Sequence, residues 1–168
     1  MINKGTTIAA GLLILLAGQM SAGEEYQQPV DRYSYNLGIL GGFSEVVKLG
    51  VKTLALSEVM TPQEMDAMMH DAQIVARRNG VEMYRESDLV VTDLYPADIA
   101  AGKDVLLLYT GTTLDTYLAI KADKAALLAR DEYHATAREE IARRFGKLLS
   151  YPDSVIDELI AKQRNKQP

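Results

Sequence analysis

Apolar and polar positions change their period several times between Val51 and Thr113. The stretches rich in β-prone apolar residues are 51–57, 81–85, 89–92 and 105–109. Each is short and is bounded by turn-forming or charged residues, as strands are. The first two are separated by residues 61–79, whose apolar positions recur every three to four residues and predict an amphipathic helix. Because strands that alternate with helices are typical of parallel crossovers, we predict an α/β fold with a small, mainly parallel or mixed sheet of about four strands.

Helical periodicity also flanks this stretch on both sides. The further segments that predict helices are 33–49, 114–130, 133–149 and a last one opened by Pro152. Together with 61–79 they make about five helices, and the C-terminal third is predicted to be all helical. The helix 61–79 has the clearest boundaries, because Thr61 and Glu64 form a capping box and Gly80 ends the helix.

Two lysines interrupt the apolar face that is predicted for 114–130. Lys121 lies inside this face and Lys124 lies at its flank. Lysine side chains commonly reach past apolar neighbours to water, which is the simpler explanation. The alternative is a lysine that faces a ligand.

The beginning of the chain has the layout of a secretory signal peptide. Lys4 precedes the apolar run 8–17, and small residues at 21–23 follow, so that cleavage is expected after Ala22. A retained membrane anchor is the alternative, but a span needs about 20 apolar residues. We therefore expect an exported protein, periplasmic or secreted. The predicted segments are a signal peptide at 1–22, a disordered lead at 23–32, a single α/β domain at 33–162 and a disordered tail at 163–168.

Composition removes several classes of function. The chain contains no cysteine, which excludes disulfide-stapled scaffolds and thiolate metal sites. Its formal net charge is −5 at pH 7, and no basic stripe runs along the sequence. Such chains are not typical of proteins that bind nucleic acid or anionic lipid. The expected partners are a small polar molecule or an envelope protein, with no nucleic acid and no membrane after signal cleavage.

Tyrosine, hydroxyl and carboxylate side chains recur where the predicted strands end. In open α/β sheets, ligands bind outside the carboxyl ends of the strands. The candidate ligand-binding residues are Ser57, Glu58, Arg85, Glu86, Asp93, Tyr109, Thr110, Gly111, Thr112 and Thr113. The turn 111–113 also precedes a helix, whose first N–H groups are suited to an anion, although plain capping by Thr112 is the simpler alternative. The stretches 81–85 and 89–92 are so close in sequence that only one of their ends can share a common mouth.

The helix 61–79 carries a second candidate chemistry. Met65, Met68, Met69 and His70 together resemble the ligands of a copper(I) site. At helical spacing, however, the three methionines form one apolar stripe, from which His70 points away. Methionine is a common filler of protein cores, so the pattern favours packing over metal binding. Neither a metal nor a cofactor is predicted.

No catalytic motif stands out in the chain. There is no Gly-x-Ser-x-Gly elbow, and the two histidines have no zinc-binding spacing. We therefore predict an exported, non-catalytic ligand-binding or accessory module of the bacterial cell envelope, with a small polar ligand at the carboxyl ends of the strands. The first alternative is an acid–base or hydrolase-like enzyme in which Glu58, Glu86 and Asp93 converge. The second is a copper-handling protein that uses the methionine-rich helix, and the third is a protein–protein interaction domain.

Overall fold

The computed structural model describes residues 29–94 and 98–164, and these ranges contain five helices and three strands. In chain order they are α1 (Arg32–Lys48), β1 (Leu54–Leu56), α2 (Pro62–Asn79), β2 (Glu82–Glu86), β3 (Val105–Tyr109), α3 (Thr113–Ala129), α4 (Ala135–Leu148) and α5 (Asp153–Arg164). The predicted signal peptide, most of the predicted lead and residues 165–168 lie outside the described ranges. Residues 163–164, predicted to begin a disordered tail, continue α5. Within the described ranges, no helix combines the length and the apolar character that a membrane span requires.

The sheet is antiparallel, with the strand order β1-β3-β2. The prediction of a mainly parallel sheet of about four strands is therefore wrong. The crossover β1-α2-β2 does connect two strands of the same direction, because both run opposite to β3. However, β3 lies between them and makes every hydrogen-bonded pair antiparallel. All five residues of β3 are buried, and the central position is the one where a strand is covered on both faces and both edges.

The predicted fourth strand at 89–92 is also wrong, although its apolar residues are buried. Leu89, Val90 and Leu94 belong to the core, but residues 87–94 form no strand. Their backbone groups bond to side chains instead of to the sheet: the Val90 N–H donates to the Tyr117 hydroxyl, and the Val91 carbonyl accepts from Lys124. A run of apolar residues predicts that the segment is buried. It does not by itself predict a strand, because buried backbone groups can also form hydrogen bonds with side chains.

Helices cover both faces of the sheet. Side chains of neighbouring strand residues point to opposite faces, so β3 contributes to two cores. Leu106 and Leu108 pack with α1 and α2, in a cluster that includes Met65 and Met68. The opposite face of β3 packs with α3, α4 and α5, in a cluster that includes Leu107, Tyr117, Phe145 and Ile156. The prediction that the methionine stripe packs the core is confirmed for Met65 and Met68, which are fully buried, whereas Met69 is only partly buried.

Different strand ends meet at the two ends of the sheet. Leu54 and Glu82, the first residues of β1 and β2, both lie opposite Tyr109 at the end of β3. Glu86, the last residue of β2, lies opposite Val105, the first residue of β3. We call these the Tyr109 end and the Val105 end. Helices α1 and α2 each finish at the Tyr109 end, because the strands that follow them begin there.

The helix ends follow the predicted local chemistry in part. For α2, Thr61 and Glu64 form the predicted capping box, and Gly80 ends the helix in the left-handed conformation at φ 67°. For α3, the Thr112 side chain makes no capping hydrogen bond. The Thr113 hydroxyl instead donates to the Thr110 carbonyl at 2.9 Å.

Candidate functional site at the carboxyl end of β1

The predicted strand-end residues are divided between the two ends of the sheet. Ser57, Glu58, Arg85 and Glu86 lie at or near the Val105 end, where β1 and β2 finish. The residues at the Tyr109 end are Tyr109, Thr110, Gly111, Thr112 and Thr113. The common mouth required the strands to be parallel, and β3 runs the other way. The structure therefore does not bring all these residues together, and their roles in ligand binding stay predictions.

Glu86 is a buried carboxylate whose hydrogen-bonding capacity is used within the fold. Its Oε2 accepts from the Tyr117 hydroxyl at 2.9 Å. Its Oε1 accepts from the Asp88 N–H at 2.8 Å and from the Lys121 Nζ at 3.0 Å. A buried carboxylate with a cation and two further donors is a structural anchor, because both of its oxygens are hydrogen-bonded within the fold.

Lys121 and Lys124 bind groups of the chain itself. The sequence suggested instead that they reach water or face a ligand. Lys121 binds Glu86 and the Asp88 carbonyl, and the Lys124 Nζ donates to the Val91 carbonyl at 2.6 Å. Lys124 also lies 5.3 Å from the centre of the Tyr133 ring, and burial lowers its pKa. These contacts hold the irregular segment 87–94 against α3.

Two further buried carboxylates, Asp93 and Asp104, are likewise neutralised by arginines. Arg138 of α4 donates through Nε to the Asp93 Oδ1 at 2.7 Å. Arg85 of β2 donates through Nε to the Asp104 Oδ2 at 2.6 Å and through a terminal nitrogen to the Asp66 Oδ1 at 2.5 Å. Arg85 therefore links β2 to the first turns of α2. These carboxylates and Arg85 are occupied by contacts within the chain.

Glu58 differs from these carboxylates. Its Oε1 is buried and has no hydrogen-bond partner in the described part of the chain. Burial raises the pKa of the Glu58 carboxyl, and the charge of Arg32 in the first turn of α1 offsets part of that rise. An unsatisfied buried oxygen costs about 1–3 kcal/mol, so a polar group left in this state calls for an explanation.

A β-bulge places Glu58 at this position. The Ser57 N–H donates to the Leu106 carbonyl at 2.9 Å, in register with the rest of β1. Met60 and Asp104 then exchange backbone hydrogen bonds of 2.9 and 2.8 Å. Two residues on one side, Glu58 and Val59, therefore lie opposite one residue, Val105. Bulges redirect side chains and are common beside functional sites.

The Ser57 side chain stabilises the bulge. Its buried hydroxyl accepts from the Leu106 N–H at 2.9 Å and donates to the Glu58 carbonyl at 2.7 Å. Both of its roles as donor and acceptor are thus filled. Ser57 therefore holds the backbone of the site.

The turn at the Tyr109 end has a different character. Tyr109 itself is buried, and burial together with the charge of Glu82 raises the pKa of its hydroxyl. Thr110, Gly111 and Thr112 are exposed, and Gly111 has a φ of 60°. The backbone there turns directly into α3.

A groove between α4 and α5 was not anticipated from the sequence. Its volume is about 320 Å³, at the low end for ligand pockets. The residues that line it are Glu139, Arg143, Asp157, Ile160, Ala161 and Arg164. Arg143 pairs with Glu139 and Asp157, and Arg164 pairs with Glu139. The sequence shows these residues only as mixed charges on a helix face, and a groove forms because two such helices lie side by side.

The three methionines of the candidate copper site pack in or against one hydrophobic cluster. Met65 and Met68 lie in the core, and His70 is exposed on α2. In the described ranges, no group of three or more histidine, cysteine, aspartate and glutamate residues is arranged to hold a metal ion.

No protein-family model, curated protein or solved structure matches the chain. Inference about function therefore starts from the contacts of the residues themselves. Of the candidate carboxylates at the strand ends, Glu58 is the one with a buried oxygen that has no hydrogen-bond partner in the described part of the chain.

Proposed function

We propose that this protein is an exported, non-catalytic binding module that holds a small polar ligand at Glu58. One observation carries the proposal: the buried, unpartnered Oε1 of Glu58, presented by the bulge after β1. A ligand donor would supply the hydrogen bond that this oxygen lacks. Buried polar groups are almost always paired in folded proteins, and a binding site is one place where the partner comes from outside the chain.

The chemistry of the site favours a ligand with a hydroxyl, amine or ammonium group. An ionised carboxylate only accepts hydrogen bonds, so the ligand must donate. Arg32 lies close enough to influence the pKa of Glu58, and it is exposed. It is therefore available to an anionic group of the same ligand, such as the carboxylate of an amino acid or a sugar acid.

Binding is favoured over acid–base catalysis by the state of the other carboxylates. Glu86 and Asp93, which the enzyme alternative requires, are held by Lys121 and Arg138. General acid–base chemistry on a bound substrate needs groups that are free to exchange protons with it. Neither Glu86 nor Asp93 is free to act as the second acid or base beside Glu58.

A titration followed by nuclear magnetic resonance tests the proposal. The chain that lacks residues 1–22 is labelled with ¹⁵N and titrated with polyols, primary amines, amino acids and sugar acids. We expect a binding compound to shift the amide signals of residues 57–61. Glu58→Gln should weaken its affinity by about tenfold, the effect of losing a hydrogen bond to a charged group. Glu45→Gln, at an exposed position of α1, serves as the matched control and should leave the affinity unchanged.

The pH dependence provides a second readout. A cationic donor binds the ionised form of Glu58, so its affinity should fall as the pH drops through the pKa of this group. Because burial raises that pKa above the ordinary value of 4.5, the loss should begin at a higher pH than for an exposed glutamate. Shifts confined to the groove between α4 and α5, an affinity that Glu58→Gln leaves intact, or no binding by any compound class would contradict the proposal.

A further inference from the structure

Two aliphatic side chains protrude from the loop between α1 and β1. Leu49 is 69 % exposed and Val51 is 67 % exposed, more than the other large apolar residues in the described ranges. Lys48 precedes them, and Arg77 and Arg78 lie in the last turn of α2. We call these five residues the tip.

Hydrogen bonds hold the loop that carries Leu49 and Val51. The Val51 N–H donates to the Val46 carbonyl at 2.9 Å and the Gly50 N–H donates to the Val47 carbonyl at 3.0 Å, which together make a Schellman motif. Gly50 has the left-handed conformation that this motif requires, with a φ of 73°. The Nζ of the following residue, Lys52, donates a 2.8 Å hydrogen bond to the carbonyl of Leu149, the residue after α4. The aliphatic side chains are thus held outward and do not collapse onto the core.

The cations of the tip come together from two helices. Both α1 and α2 finish at the Tyr109 end, and the Lys48 Nζ lies so close to Gly80 that a Cβ on this glycine would be 3.1 Å away. Lys48, Arg77 and Arg78 are exposed and form no ion pair with any described residue. Cations at helix C-termini interact favourably with the helix dipole, which accounts for their positions. It does not account for two exposed aliphatic residues beside them.

Three acidic residues lie near the Tyr109 end, but none of them belongs to the tip. Glu82 belongs to the edge strand β2, and Asp115 lies in the first turn of α3, on the opposite face of the sheet from α1 and α2. Glu45 is exposed on α1, one turn before Leu49. The end of the α1 and α2 layer is therefore locally basic, although the whole chain is acidic.

We infer that the tip docks on the surface of an anionic lipid bilayer. Protruding aliphatic side chains enter the boundary between headgroups and acyl chains, while neighbouring cations attract anionic headgroups. Two aliphatic residues are a small area for a specific protein interface, which buries about 800 Å² on each partner. A bilayer has no such requirement, because binding there grows with each inserted side chain and each cation.

Docking at the tip is independent of ligand binding at Glu58, because the two sites lie at opposite ends of the sheet.

Docking at the tip departs from the sequence-based expectation that the mature chain avoids membranes. That expectation rested on the lack of a basic stripe along the sequence. The tip instead combines residues at and after the end of α1, Lys48, Leu49 and Val51, with Arg77 and Arg78 of α2. Whether the mature chain avoids membranes stays a prediction, and the vesicle experiments described next test it.

The first test uses a single fluorescent label, which the absence of cysteine makes specific. L49C, in the chain that lacks residues 1–22 but retains every described helix and strand, is labelled with an environment-sensitive dye. It is mixed with vesicles of equal parts phosphatidylcholine and phosphatidylglycerol, or of phosphatidylcholine alone. We expect a blue shift and an intensity increase with the anionic vesicles only. L128C is the matched control, since Leu128 is 56 % exposed at the C-terminal end of α3, away from the tip, and its label should stay in water.

The second test measures vesicle co-sedimentation of unlabelled variants. L49D with V51D and, separately, R77E with R78E should each weaken binding by about tenfold or more, whereas L128D should not. Raised ionic strength should weaken wild-type binding, because exposed charges are screened. All substitutions are at exposed positions, so the fold should persist, as circular dichroism would verify.

Several outcomes would overturn docking on lipid. These are no binding of the wild-type chain to anionic vesicles, equal binding to both kinds of vesicle, and binding that survives the change of Leu49 and Val51. Sedimentation that shows a dimer, lost in the L49D and V51D variant, would assign the tip to an interface between copies of the chain instead. None of these results depends on Glu58, which stays unchanged throughout.

Discussion

Tyr117 is a fully buried residue whose ring and hydroxyl act on different parts of the fold. Its ring packs against Phe145 in the core, with the ring centres 6.1 Å apart. Its hydroxyl accepts from the Val90 N–H at 3.1 Å and donates to Glu86. Burial raises the pKa of this hydroxyl far above its ordinary value, so it remains protonated and can donate. The periodicity of α3 identifies Tyr117 as a core residue but does not reveal the hydrogen bonds.

Replacing Tyr117 with phenylalanine should therefore destabilise the protein. The ring would stay in place, while the Val90 N–H would lose its acceptor and Glu86 would lose a donor. We expect the free energy of unfolding to fall by about 1–3 kcal/mol, the cost of unsatisfied buried polar groups. Urea denaturation measures this loss, and Tyr84→Phe is the control because Tyr84 is 37 % exposed on β2. Equal stability of the two variants would show that the Tyr117 hydroxyl contributes nothing.

Helices α1 and α4 both contain glycines in their interiors, but for different reasons. A Cβ on Gly38 or Gly42 of α1 would meet no atom within 4 Å. A Cβ on Gly146 of α4 would lie 2.8 Å from the side chain of Ile156. Gly146 therefore leaves the space on α4 that the Ile156 side chain of α5 occupies. Gly38, Gly41 and Gly42 stand close together in the sequence of α1, whereas only the packing shows that Gly146 is the glycine that a helix contact requires.

Alanine substitutions should separate these two cases. Gly146→Ala overpacks the contact with Ile156 and should lower the free energy of unfolding by about 1–3 kcal/mol. Gly42→Ala enters open space and should raise it by roughly 0.5–1 kcal/mol, because alanine is the better helix former. Thermal denaturation of both variants, compared with the wild-type chain, checks the opposite signs. A stabilised Gly146→Ala variant would mean that α5 shifts to accept the extra methyl group.

At the scale of the whole molecule, one central strand joins two cores. Strand β3 pairs with both β1 and β2, and its alternate side chains enter the two hydrophobic clusters. The Val105 end holds Glu58 in its bulge, and the Tyr109 end holds the tip. The proposed functions thus belong to opposite ends of one scaffold, and neither requires the other.

Hydrogen exchange should reflect this arrangement. We expect the amides of Leu106, Leu107 and Leu108 to exchange most slowly, since opening them requires separation of both helical layers from the sheet. The exposed turn 110–112 should exchange rapidly. Nuclear magnetic resonance measures both sets of rates in one sample. Slower exchange in α2 than in β3 would show that the α1 and α2 layer is the more stable unit.

Local chemistry in the sequence determined the helices and much of the core. The capping box at Thr61 and Glu64, the left-handed Gly80 and the apolar stripe with Met65 and Met68 each involve residues within a few positions of one another. Such patterns act through the geometry of a single helix, so the sequence is sufficient to read them. The signal peptide at 1–22 is likewise a local pattern, and it stays a prediction.

Tertiary structure alone decided the sheet order, the strand directions and the site. The sequence predicted the strand at 105–109 but did not show that it enters between β1 and β2, because pairing joins residues far apart in the chain. The same holds for the segment 87–94, whose backbone accepts and donates hydrogen bonds with side chains of α3, and for Glu58, which the sequence included among ten candidates. Glu58 differs from the other carboxylates because they pair with lysine or arginine side chains, whereas its Oε1 has no hydrogen-bond partner in the described part of the chain. Long-range pairing and burial are set by the competition among all segments, and that competition is settled only when the chain folds.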